Sequence, residues 1–82
     1  MSPPTPAQLG TAIRRARKAR ELSIEALAAK AGISWRYLSQ IERGEKRTNP
    51  TWIVLGGIAN GLGIEISELA QRAEDIADGK SA

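Results

Sequence analysis

The sequence predicts an all-α domain of five helices. Apolar residues recur at helical spacing along most of the chain, and the period-two alternation of a half-buried strand is absent. Helix-opening and helix-closing residues stand at matching places: Ser23 and Ser34 precede such runs, and Gly32 and Gly44 follow them. At 82 residues the chain is the length of one domain.

The elements follow in order. The first helix is expected from Pro6 to about Arg20. Leu9, Ile13 and Ala16 share one face, and Arg14, Arg15, Lys18 and Glu21 lie mostly opposite. Pro3, Pro4 and Pro6 mark residues 1–6 as a flexible arm, which leaves 7–77 as the domain. Ser23 caps the second helix, with Glu25 in the favourable first turn and Leu27, Ala28 and Ala31 inward. Gly32 ends it, and Ile33 fills the turn toward the core. Ser34 caps the third helix, with Leu38 and Ile41 inward and Gly44 as its stop. Residues 44–50 form a polar loop. Asn49-Pro50 reads as a cap followed by a first-turn proline, with Thr51 as the alternative cap. The fourth helix is expected over Thr51–Leu62, with Leu55, Ile58, Ala59 and Leu62 inward. The fifth covers Ile66–Ala77, and 78–82 form a frayed end.

Composition excludes several kinds of function. The chain has no histidine and no cysteine. The usual zinc ligands, the Ser-His and Cys-His nucleophile pairs and the commonest general base are therefore missing. No carboxylate pair stands out from a solvated surface. Neither enzymatic activity nor a metal, cofactor or small-molecule ligand is expected. The start of the chain lacks the basic and apolar regions of a signal peptide. The longest uncharged apolar run, Trp52 to Ile64, is far short of the roughly 20 residues of a membrane span. A soluble, cytoplasmic protein is expected. The glycines of Gly57-Ile-Ala-Asn-Gly61-Leu-Gly63 match a dinucleotide-binding spacing. That motif needs a βαβ unit, and too little chain follows to build one.

Charge is unevenly placed. Residues 1–47 hold ten Lys/Arg against four Glu, a balance of +6, and residues 48–82 hold two against five, a balance of −3. The basic half suggests a side that faces a polyanion. It contains Ser23–Gly44, two short helices each opened by a serine and joined by a tight turn at Gly32. That is the layout of a helix-turn-helix. Its second helix presents Trp35, Arg36, Ser39, Gln40 and Arg43 outward, groups able to touch bases and phosphates.

Leu9-Gly10…Ile13-Arg14…Arg17…Leu22-Ser23, Leu27-Ala28…Ala31-Gly32-Ile33-Ser34 and Tyr37-Leu38-Ser39-Gln40-Ile41-Glu42-Arg43-Gly44 form a continuous pattern. It extends through Pro50-Thr51…Leu55…Ile58-Ala59…Leu62-Gly63-Ile64…Leu69. The pattern resembles the phage-repressor/Cro-like (XRE-type) helix-turn-helix family of transcriptional regulators. The resemblance implies a five-helix, lambda-repressor-like DNA-binding domain, a homodimer on a two-fold operator. It implies a recognition helix over 34–43 in the major groove of double-stranded DNA. Base contacts then fall to Trp35, Arg36, Tyr37 and Gln40. Phosphate contacts fall to Arg14, Ser34, Ser39, Arg43, Lys46 and Arg47. Family members often join the positions of Arg17 and Glu42 in a salt bridge. The protein would associate with the nucleoid when bound to DNA. Two features depart from the pattern. Ile24 stands where a phosphate-touching glutamine is common, and the loop after Gly44 is one or two residues longer than in many relatives.

Arg36 suits a bidentate pair with guanine, and Gln40 with adenine. Trp35 either presses a thymine methyl or the sugar backbone, or lies flat over the second helix. Tyr37, one turn before Ile41, is expected half-buried with its hydroxyl on a phosphate. Ile66, Ala73, Ile76 and Ala77 follow a helical stripe and are candidates for a dimer seam. The alternative is a last helix folded on its own core. Ile24 and an exposed Trp35 also suit a rival reading, a helix-turn-helix adaptor or antitoxin-like module that acts mainly through a protein partner.

Overall fold

The computed structural model describes residues 4–45 and 48–77, the Ala77 side chain excepted. They form α1 (Pro6–Ala19), α2 (Ile24–Ala31), α3 (Trp35–Glu42), α4 (Trp52–Leu62) and α5 (Ile66–Ala77). There is no strand among the described residues.

The first helix begins inside the expected arm. Thr5 caps α1 in a reciprocal box: its Oγ1 accepts from the Gln8 amide at 3.2 Å, and its own amide donates to Gln8 Oε1 at 2.6 Å. Pro6 takes the first helical position, where its missing N–H costs nothing and its fixed φ already suits a helix. Thr5 and Pro6 of the expected 1–6 arm thus belong to the start of the helix, because a proline that cannot sit within a helix can open one. Residues 1–3 lie outside the described residues.

Ser23 and Ser34 open the next two helices as the sequence predicts, and a threonine opens the one after. Ser23, Ser34 and Thr51 accept from the amides of Ala26, Tyr37 and Val54. Thr51, not Asn49, is therefore the cap of α4, and Pro50 stays outside the helix. The turns after α2 and α4 share one geometry. Gly32 and Gly63 adopt φ of +74° and +73°, and the amides of Ile33 and Ile64 reach back to the carbonyls of Ala28 and Ala59. Each isoleucine then packs half-buried against the core. The turn after α1 is made differently. Glu21 itself takes φ +55°, a left-handed conformation uncommon outside glycine.

Every helix supplies the core. Ile13, Leu27, Leu38, Ile58, Leu62 and Leu69 are its largest fully buried side chains. Burying one such side chain contributes about 1.5–3 kcal/mol. Leu55, expected inward, is only partly buried. Helix α2 packs on α4, and α1 packs on both α5 and α3. The glycines of α4 permit the close α2 contact: a Cβ added at Gly57 would stand 2.8 Å from the Ala31 carbonyl oxygen. They are helix-packing residues, not part of a nucleotide loop. No single described helix is long and apolar enough to cross a membrane.

Helix α5 corrects the expected seam. Ala73 is fully buried in the core, and Ile66 and Ile76 pack half-buried against it. The stripe folds back on its own domain because α1 offers it an apolar face. Ala73 is therefore not available to a partner. The Ala77 side chain lies outside the described residues.

Candidate nucleic-acid interface

The interface is built around α3. Eight residues give it little more than two turns, too few for stability alone, so tertiary contacts must hold it. Leu38 and Ile41 are buried beneath it. On its N-terminal side, the Ser34 hydroxyl accepts from the Tyr37 amide at 3.1 Å, which leaves its own hydrogen free to donate. Behind its C-terminal end stands α1, at Gly10. A Cβ there would collide with the carbonyls of Ile41 and Glu42, so the glycine sets how closely the two helices approach.

An ion pair fixes the angle of α3. Arg17 Nε donates to Glu42 Oε2 at 2.8 Å, and Arg17 Nη2 donates to Glu42 Oε1 at 3.0 Å. The side chains are 13% and 6% exposed, so the pair is largely withdrawn from water. A third donor, Arg17 Nη1, meets the Leu22 carbonyl at 2.9 Å. One guanidinium therefore joins α1, the turn before α2 and the end of α3. Its pKa is raised above the ordinary value, chiefly by the hydrogen bonds to Glu42 and against the opposing effect of burial. This is the salt bridge that the family resemblance implies for Arg17 and Glu42.

The residues assigned to base reading lie on α3 but differ in exposure. Trp35 is 50% exposed and Arg36 is exposed. Tyr37 and Gln40 are half-buried, and Tyr37 packs against the core. The Arg36 guanidinium lies 5.6 Å from the centre of the Trp35 ring, a cation–π distance. Trp35 therefore gives Arg36 a resting surface, an arrangement that spacing alone does not reveal.

The assigned phosphate contacts separate into three groups. Arg14 is exposed on α1, Ser34 caps α3 and Ser39 lies on it. Arg43 is exposed but already engaged: its Nη2 and Nε donate to Glu45 Oε2 at 2.6 and 3.0 Å. The sequence reading missed Glu45, although an acid two residues beyond Arg43 was a visible signal. Lys46 and Arg47 lie outside the described residues. Exposed Trp52 and Ile53, at the start of α4, also received no role from the sequence.

The helix-turn-helix family model HTH_3 matches residues 13–69, which include α2, α3 and α4. The chain belongs to this helix-turn-helix family. A curated helix-turn-helix relative, the uncharacterized HTH-type transcriptional regulator y4dJ of Sinorhizobium fredii, is 37% identical over 67 residues, 82% of this chain and 84% of its own. The clp gene regulator ClgR of Corynebacterium glutamicum superposes with a TM-score of 0.84 at 25% identity, over 93% of this chain and 79% of that one. SinR, a master regulator for biofilm formation solved in complex with DNA, superposes with a TM-score of 0.67 at 36% identity, over 74% of this chain and 95% of that one. This helix-turn-helix domain spans most of y4dJ but only 40–50% of the length of three further curated regulators it matches.

Proposed function

We propose that this chain is a sequence-specific transcriptional regulator that binds double-stranded DNA as a homodimer on a two-fold operator, with α3 in the major groove. The observation that carries this reading is the two-sided character of α3. Its inner face is locked by Leu38, Ile41 and the Arg17–Glu42 pair, while Trp35 and Arg36 stand exposed on the outer face. A rigid helix that presents hydrogen-bonding groups outward is what direct base readout requires. The DNA-bound state of the relative SinR supports the same reading.

In this reading Arg36 and Gln40 read base edges, and Trp35 and Tyr37 complete the contact surface. Arg14, Ser34, Ser39, Arg43, Lys46 and Arg47 grip phosphates and supply sequence-independent affinity. Arg43 exchanges Glu45 for a phosphate oxygen on binding. The activity is binding rather than catalysis, and on DNA the protein is part of the nucleoid.

The test is selection of bound sites from a random duplex pool at about 150 mM salt, physiological ionic strength. Enrichment of a two-fold motif, with half-sites about one helical turn apart, supports the reading and gives the operator. A folded protein that enriches nothing overturns it in favour of the adaptor or antitoxin-like module, and a protein partner would be sought instead.

A further inference from the structure

The most exposed of the large apolar side chains lie on α4. Trp52 is 72% exposed and Ile53 is 85% exposed. Gly56 follows Trp52 by four residues and Ile53 by three, on the same side of the helix, and a Cβ added there would meet open space. Singly exposed apolar residues need no explanation, but a tryptophan and an isoleucine side by side with a bare glycine form a patch. Beside it is a cleft of about 290 Å³ lined by Pro4, Pro6, Leu9, Asn49, Pro50 and Leu55. Pro50 and Leu55 line the cleft and bracket Trp52 and Ile53 in the chain.

We infer that this face of α4 is the homodimer seam, with each copy's Trp52 seated in the other's cleft. The inference rests on the homodimeric DNA-binding reading above and specifies its interface. Three features favour a second copy of this chain as the occupant. A two-fold interface is self-complementary, and here a protruding aromatic and a cleft lie next to each other on one surface. A two-fold interface also sets like charge against like, and no charged residue occurs between Thr48 and Ile64. Helix α5 is the opposite case. Glu68, Glu74 and Asp75 outnumber Arg72 there, so pairing α5 with itself would bring acid against acid. Lastly, the patch opens α4, the next helix in the chain after α3, so a seam here keeps two recognition helices close to the dimer axis.

The seam is small. A tryptophan buries about 150–250 Å², so the patch and cleft fall below the roughly 800 Å² per partner of a standard interface. The free dimer is therefore weak and fills as protein concentration rises, and two adjacent half-sites on DNA strengthen it further.

The natural absence of cysteine makes the test direct, because an introduced thiol is the only one present. Ile53→Cys probes the α4 face, and Ala70→Cys probes the exposed side of α5. Each full-length variant, shown to be folded by circular dichroism, is treated with a short bis-maleimide over a range of protein concentrations. Ile53→Cys is expected to give a covalent dimer whose yield saturates with concentration, and Ala70→Cys only traces. A dimer through Ala70→Cys alone, equal yields from both, or none from either overturns the seam. No DNA enters this experiment, so its failure is distinct from failure of the site selection. On the selected operator, Trp52→Ser with Ile53→Ser should lower affinity for the full site about tenfold or more and leave a single half-site unaffected. Unchanged affinity for the full site overturns the seam as well.

Discussion

Arg17 on α1 holds both carboxylate oxygens of Glu42 on α3, at 2.8 and 3.0 Å, while a third donor holds the Leu22 carbonyl. Removing one side chain would strand the other in a largely dry site, which costs about 3–5 kcal/mol for a buried pair. Arg14, exposed on the same helix, should cost under about 0.5 kcal/mol. Arg17→Ala is therefore expected to lower the melting temperature far more than Arg14→Ala. Equal melting temperatures would refute the bracing role. The raised pKa of Arg17 means that its stabilisation is fully present below the ordinary arginine range. It is lost only as pH rises through the still higher folded value, so the pair should not weaken between pH 5 and 9 through loss of the cation.

Adjacent glycines of α4 should respond in opposite ways. At Gly57 a Cβ would meet the Ala31 backbone at 2.8 Å, and at Gly56 it would meet nothing. Gly57→Ala should destabilise by about 1–3 kcal/mol through overpacking. Gly56→Ala should stabilise by about 0.5–1 kcal/mol through helix propensity. Thermal melts of both variants in dilute solution check the pair, and matching shifts would show that the α2–α4 contact is looser than described.

Reading by Arg36 predicts a change in preference as well as in affinity. Arg36→Ala should cost about 1–3 kcal/mol on the selected operator and relax a single base position. Repeating the site selection with the variant checks this. An unaltered motif would remove Arg36 from base readout. Trp35→Ala withdraws the ring beside the guanidinium and should broaden the preference at the same position.

Glu45 competes with DNA for Arg43. The ion pair is exposed, at 62% and 43% for its two side chains, so it is worth about 0.2–1 kcal/mol. Glu45→Gln should tighten binding to every duplex, specific or not, by up to about fivefold at low salt. Titrations against the operator and a scrambled duplex give the answer. Tightening confined to the operator, or none at all, would mean that Arg43 does not exchange partners.

Much of the fold was legible because it is encoded locally. The caps at Ser23 and Ser34, the stop at Gly32 and the Leu38/Ile41 stripe each depend on neighbours within one or two turns. Thr51 was ambiguous beside Asn49-Pro50, since both carry a side chain able to cap and only one acquires an amide to cap. The Arg17–Glu42 pair joins residues twenty-five apart, and family resemblance rather than local pattern pointed to it. The base-reading candidates lie on α3, Trp35 and Arg36 exposed and Tyr37 and Gln40 half-buried. The Trp35–Arg36 stack was not visible, and the acid beyond Arg43 did not by itself reveal the Arg43–Glu45 pair, because side-chain direction is set by three-dimensional neighbours.

By itself the sequence determined the five helices, most of their boundaries, the basic half that holds the helix-turn-helix and the face of α3 turned outward. Local hydrogen bonding and helical periodicity fix all of these. Tertiary structure decided which apolar stripes were already satisfied. Ala73 looks like part of a free seam in the sequence, yet it is fully buried in the domain's own core with Ile66 and Ile76 half-buried against it, while Trp52 and Ile53 remain exposed on α4. A stripe of apolar residues states only that something must cover it. Whether the cover comes from the same chain or from another depends on how the helices pack.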